Sequence, residues 1–212
     1  MTFWRLDPYF DCDLSILKLV QDIFQLRMDE FQSVFDQFKI QCSDEIFRIS
    51  RKLSQIFMDG GKLLLCGNGG SAADAQHLAA EFMSSFGVGL KRRSLPAIAL
   101  TTDTSIITAI SNDFDFEISF SRQIEGLGQN GDALLVISTS GESKNCLKAV
   151  DTAKNLGLCV MALTREDSSL YQLADFPLGV PSKNTQHIQE CHILAYHVIA
   201  ELIEQDILKG IS

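Results

Sequence analysis

Apolar positions follow two rhythms along this chain, and the change between them falls near residue 60. From about residue 14 to 57 they recur at intervals of three and four: Leu14, Leu17, Val20, Ile23 and Phe24, then Met28, Phe31, Val34, Phe35 and Phe38, then Ile46, Ile49, Leu53 and Phe57. That interval is one face of an α-helix. The spacing therefore predicts a helical N-terminal arm over 1–57, closed by Gly60-Gly61, ahead of a core over 58–212.

Beyond that point short apolar runs alternate with helical segments. The runs are Leu63 to Cys66, Ala97 to Leu100, Ala133 to Ile137, Cys159 to Leu163 and Phe176 to Val180. Helices are expected at about 71–86, 104–111, 117–127, 143–156, 168–174 and 185–208. Strand and helix in alternation are the mark of an α/β fold, a parallel sheet with helices on both faces. Ligands of such sheets bind beyond the carboxyl ends of the strands, so chemistry is to be sought in the segment after each run.

After the first run comes Gly67-Asn68-Gly69-Gly70-Ser71, a turn in which glycines let backbone N–H groups crowd around an anionic or hydroxyl-rich ligand. Ser71-Ala72-Ala73-Asp74 has the form of a capping box at a helix start. His77 and Glu81 then stand four residues apart on the same helix face, where they can share a metal or a proton-transfer task.

After the third run, Ser138-Thr139-Ser140-Gly141-Glu142-Ser143 brings four hydroxyls to a helix N-terminus. Hydroxyls, free N–H groups and the positive helix end hold a phosphate without any lysine; the alternative is that these serines only cap and turn. The last helix carries three of the four histidines: His187, His192 and His197. Gln189 and His197 are eight residues apart, about 12 Å of rise and about 80° of rotation, so serving one site requires that they reach towards each other or come from different subunits. Asp103 and Asn112-Asp113 either bond sugar hydroxyls or cap the next helix.

Composition narrows the field. With 212 residues and 46% hydrophobic content the chain can build one sizeable core, and a net charge of −9 disfavours nucleic acid and anionic membranes as partners. The one basic cluster, Lys91-Arg92-Arg93, reads as a solvated loop or a local donor set. Six cysteines without a C-x-x-C pair suggest buried thiols in a reducing compartment, and no run reaches the roughly 18 apolar residues of a membrane span, so a cytoplasmic location is expected.

Three ordered motifs make the chain recognisable: Gly67-Asn68-Gly69-Gly70-Ser71 with His77 and Glu81, Ser138-Thr139-Ser140-Gly141 with Ser143, and Ile188-Gln189-Glu190 with His192 and His197. Over roughly residues 25 to 208, including Leu95 to Asp103 and Ser111 to Phe114, it resembles the phosphoheptose isomerases of the sugar isomerase (SIS) superfamily. The resemblance implies a five-stranded parallel sheet between helices, a homotetramer with sites at subunit contacts, one zinc ion per subunit and a phosphorylated heptose as substrate. By position it implies zinc ligands His77, Glu81, Gln189 and His197. Substrate would be held by Asn68, Gly69, Gly70, Ser71, Glu81, Asn112, Asp113 and Gln189, with Ser138, Thr139, Ser140 and Ser143 around the phosphate. Glu81 would be the base and His197 the acid of an enediol isomerisation. The chain departs from the family pattern at Ser84-Ser85, His187, Arg165 to Ser169, and in residues 1 to about 22.

Overall fold

The computed structural model describes residues 14–86 and 92–210. Two helices, α1 (Leu14–Gln41) and α2 (Ser43–Met58), precede an alternation of strands and helices. In order these are β1 (Leu63–Gly67), α3 (Gly70–Met83), β2 (Ala97–Ala99), α4 (Thr104–Asp113) and, after a 3-10 turn at Phe116–Ile118, α5 (Ser119–Leu127). Then follow β3 (Ala133–Ile137), α6 (Lys144–Asn155), β4 (Cys159–Arg165), α7 (Ser169–Leu173), β5 (Phe176–Val180) and α8 (Thr185–Leu208).

All four strand pairings are parallel, in the order β2-β1-β3-β4-β5, with Leu65 opposite Ala99 on one side and Leu135 on the other. Side chains alternate across the sheet. Leu63, Leu65, Leu135, Ile137, Met161 and Leu163 enter a core with α2, α3 and α8, whereas Leu64, Cys66, Leu134, Val136, Val160 and Ala162 enter a second with α5, α6 and α7. Burial on both faces explains why these strands read as unbroken apolar runs. Because β1 connects outward to β2 while β3 continues the other way, the order reverses between β1 and β3. The crevice beyond their carboxyl ends is the switch point of the sheet.

The two N-terminal helices differ. In α2, Ile49, Leu53, Ile56 and Phe57 are buried within the core, so this helix belongs to the body of the fold. Along α1, Phe31, Val34, Phe35 and Phe38 meet that core, but Ile16, Leu17, Leu19, Val20, Ile23, Phe24, Leu26 and Met28 are exposed. Helix α4 buries none of its residues, and Ile106, Phe114 and Phe116 on or near it are exposed.

Two local expectations fail. Helix α3 begins at Gly70 with Gly69 as its N-cap, and no side chain makes a capping bond. Ser71 and Asp74 are buried inside the helix, so the expected capping box is not formed. A serine within the first turn has no free N–H to reach, and Asp74 is engaged by α8 instead. The basic cluster is not a solvated loop either: the Arg92 side chain is 2% exposed. Arg93 bonds the Phe57 carbonyl at 3.2 Å, and Lys91 lies outside the described residues.

Candidate active site

Glycine at 69 is what permits the turn after β1: its φ of +56° lies in the left-handed region and the space beside it is open. The chain then enters α3, and α8 lies along it in the same direction. Positions about two turns apart on α8 meet α3 and the segment that leaves it: Gln189 touches Asp74, Tyr196 and His197 flank His77, and Glu204 reaches Ser85 just past the end of α3. Gln189 and His197 therefore lie on one seam but face different turns of α3, and within the single chain they do not reach towards each other.

At the middle of the seam, His77 Nε2 is 3.1 Å from Glu81 Oε1 and 3.3 Å from His197 Nε2. The His77 and His197 rings are 5.2 Å apart between centroids, and Tyr196 and Phe86 pack on His197 at 4.7 and 5.9 Å. Burial, followed by the neighbouring His77, holds the His197 imidazole below its ordinary pKa, which favours the neutral ring. The carboxylate and imidazole expected to act as base and acid thus belong to one contact chain. His77 is half exposed and Glu81 about a quarter, so the cluster opens to the surface of the single chain.

These donors also bear on metal binding. His77 Nε2 contacts both a carboxylate oxygen and a second imidazole nitrogen, and tetrahedral zinc at its usual bond lengths sets adjacent donors about 3.3 Å apart. The separations of 3.1 and 3.3 Å match that spacing. Among the described residues no group of three or more His, Cys, Asp or Glu is arranged so that it could hold a metal ion. The three donors are a chain centred on His77, which is half exposed. Gln189 is turned elsewhere, donating its amide to Asp74 at 2.8 Å and lying against Gly70, which has no room there for a side chain.

Asp74 and Tyr196 support this arrangement. Burial raises the Asp74 pKa, opposed by bonds from Gln189 and Tyr196, and burial beside that acid pushes the Tyr196 phenol up to about 12. Sequence reasoning missed both. Asp74 was hidden inside an apparent capping box, and a tyrosine next to His197 carries no signal of its own.

The second turn, after β3, stands beside the first across the switch point. Asn68 and Asn145 exchange two amide hydrogen bonds of 2.9 Å each, tying the glycine turn to the first turn of α6. Asn145 was also missed, because only the fold brings it to Asn68. Ser138 Oγ accepts from Gly141 N at 3.1 Å and Ser140 Oγ from Glu142 N at 3.2 Å, so two of the four serine and threonine hydroxyls do shape the turn. The two hydroxyls also stand 3.5 Å from each other, so one hydrogen can be shared between them while the other is available to donate. Ser143 is the N-cap of α6 and makes no capping bond through its side chain. Thr139 is half-buried between them. Gly141, with φ +67°, is pressed against Ser168 and Thr164.

Asn112 and Asp113 are not joined to either turn: they end the exposed helix α4 and bond each other at 2.8 Å. Asp103 caps α4 by accepting from Ile106 N at 2.9 Å, the plainer of its two readings.

The model of the SIS domain family matches residues 28–165. A phosphoheptose isomerase from Synechocystis sp. is 48% identical over 179 residues, 84% of this chain and 90% of that protein. One from Roseiflexus sp. is 50% identical over 165 residues, 77% of this chain and 83% of that protein. Among solved structures, the phosphoheptose isomerase GmhA of Neisseria gonorrhoeae superposes with a TM-score of 0.82 at 38% identity, over 88% of this chain and 99% of its own. The enzyme of Francisella tularensis gives a TM-score of 0.84 at 35% identity, over 88% and 98%. With its five-stranded parallel sheet, its two turns at the switch point and relatives of this identity, the chain belongs to the phosphoheptose isomerase family of SIS-domain proteins.

Proposed function

We propose that this protein is an aldose–ketose isomerase that interconverts sedoheptulose 7-phosphate and D-glycero-D-manno-heptose 7-phosphate. The observation that carries this reading is the contact chain Glu81–His77–His197 on the helix that the glycine turn opens, that turn itself being tied to the helix after the serine turn by the Asn68–Asn145 pair. The reaction moves a proton between C1 and C2 through an enediol, which needs a base at carbon and a donor at the carbonyl oxygen. Glu81 takes the proton and returns it to the neighbouring carbon, and His197 donates to the oxygen. The hydroxyls of Ser138, Thr139, Ser140 and Ser143, with the N–H groups opening α6, hold the phosphate and fix the reacting carbons. Asn68, Gly69, Gly70, Ser71 and Gln189 line the sugar side, with Asn112 and Asp113 supplied from α4.

His77, Glu81 and His197, with Gln189 as a fourth donor, would hold one zinc ion, whose chemistry is to polarise and orient substrate oxygens. The partly open cluster and the exposed apolar faces of α1 and α4 support a homotetramer in which neighbouring chains close the sites. A cavity of about 650 Å³ between α1 and α8, lined by Phe24, Met28, Phe31 and His187, fits such contact space rather than the reaction. No helix among the described residues is long and apolar enough to cross a membrane, and Cys42, Cys66, Cys146, Cys159 and Cys191 are free, consistent with a reducing cytoplasm.

The test is turnover of sedoheptulose 7-phosphate, with and without a chelator, by the wild-type protein and by Glu81→Gln. Turnover that is lost in the variant, with its fold retained, is expected; equal turnover by both removes Glu81 as the base.

A further inference from the structure

The far end of the α3–α8 seam carries a buried ion pair that the reaction itself does not use. Arg92 Nε lies 2.7 Å from Glu204 Oε1, with the two side chains 2% and 3% exposed. The rest of the guanidinium points at helix α3: one Nη donates to the Phe82 carbonyl and the other to the Glu81 carbonyl, each at 2.8 Å. These carbonyls belong to the last turn of α3, which contains no basic residue of its own. Helix ends leave such carbonyls without partners, and a cation there is favoured by the helix dipole. Arg92 is therefore a C-terminal cap that folds back from the segment between α3 and β2, and one of its two anchor points is the backbone of Glu81 itself.

Glu204 works on the other helix. Its Oε1 also receives Ser85 Oγ at 3.1 Å and Phe86 N at 3.3 Å, and the Phe86 ring packs on His197 at 5.9 Å between centroids. One carboxylate on α8, two turns beyond His197, thus fixes the segment that leaves α3, the ring that backs the His197 imidazole, and the arginine that grips the Glu81 carbonyl.

We infer that Arg92 and Glu204 are positioning residues for the isomerisation: they lock α3 to α8 at the end of the seam and so set the separation of Glu81 from His197. This rests on the reading of Glu81 and His197 as base and acid. Reacting groups must be held to within fractions of an ångström, so a lock two turns away acts on kcat rather than on substrate affinity.

The experiment compares wild type with Arg92→Lys, which keeps the charge opposite Glu204 but loses the forked grip on two carbonyls. Glu204→Gln is the second variant, keeping an oxygen acceptor without the charge. Circular dichroism establishes the fold, and NMR of ¹⁵N-labelled imidazoles reads His77 and His197 directly. The expected result is a kcat lower by tenfold or more, a KM within about twofold of wild type, and displaced His77 and His197 signals. Lowered thermal stability with unchanged kcat and unchanged imidazole signals would make the pair purely structural and overturn the inference. Because the imidazole signals do not depend on turnover, displaced signals in a protein that fails to isomerise the heptose would remove the isomerase reading and leave the lock standing.

Discussion

Two turns face each other across the crevice between β1 and β3, and they are made of opposite materials. After β1 the chain uses glycines, with φ +56° at Gly69 and open space beside it, and the reactive side chains come only later, from the body of α3. After β3 it uses hydroxyls, and Ser138 and Ser140 satisfy the backbone N–H groups of Gly141 and Glu142. The glycine turn clears room and leaves the chemistry to side chains that must be positioned from elsewhere. In the proposed function the serine turn is itself the binding surface. The Asn68–Asn145 amide pair keeps the two in register, so the phosphate end and the reacting end of a substrate are measured against one frame.

If that division of labour is right, damage to the first region strikes the rate and damage to the second strikes affinity. The largest effect is expected for Glu81→Gln: a fall in kcat of about 10³-fold or more, in the upper range for removal of an acid–base group, with little change in melting temperature. Stopped assays with both sugars check this.

The next effect is on stability and separates the two turns by their glycines. Gly141→Ala combines positive φ with overlap on buried Ser168 and is expected to cost about 3 kcal/mol, while Gly69→Ala meets nothing and costs about 1 kcal/mol. Denaturant titration of both variants tests the ranking, and equal costs would deny that the serine turn is packed against the loop after β4.

The frame behind both turns responds to pH. Burial lowers the His192 pKa to about 4, although its Nε2 is bonded to the Thr164 carbonyl at 3.2 Å. The unfolded chain takes up this proton near pH 6.5 and the native chain only near 4, so stability is full above 6.5 and falls as pH drops towards 4. The loss from this one group is on the order of 3 kcal/mol. In His192→Gln the slope of stability against pH between 6.5 and 4 should flatten, as read by urea unfolding at several pH values.

The smallest effect is Ser140→Ala, expected to raise KM about tenfold with kcat nearly unchanged, the worth of one hydrogen bond to a charged group. A fall in kcat with unaltered KM would reverse the roles of the two turns.

The sheet and its order of elements were legible because both faces are buried, which leaves strands as plain apolar runs between helical periods. All five expected strands and α8 are present, with boundaries shifted by no more than two residues. The pair His77 and Glu81 was legible for the same local reason, a four-residue spacing on one helix. What sequence did not show depends on contacts across the chain. Asp74 looked like a cap because its partner, Gln189, is 115 residues away. Arg92 looked solvated because its partner, Glu204, is 112 residues away. That Gln189 and His197 face different turns of α3 follows from the direction of α8 along α3, which the sequence did not reveal.

The central claim is that Glu81 moves the proton between adjacent carbons of the sugar, and isomerisation in D₂O tests it most directly. Wild-type protein should incorporate solvent deuterium at the carbon receiving the proton, and Glu81→Gln should incorporate none above the uncatalysed background. Deuterium incorporated at the same rate by the variant, or isomerisation by the wild type through direct hydrogen transfer from substrate carbon to substrate carbon, would contradict the account.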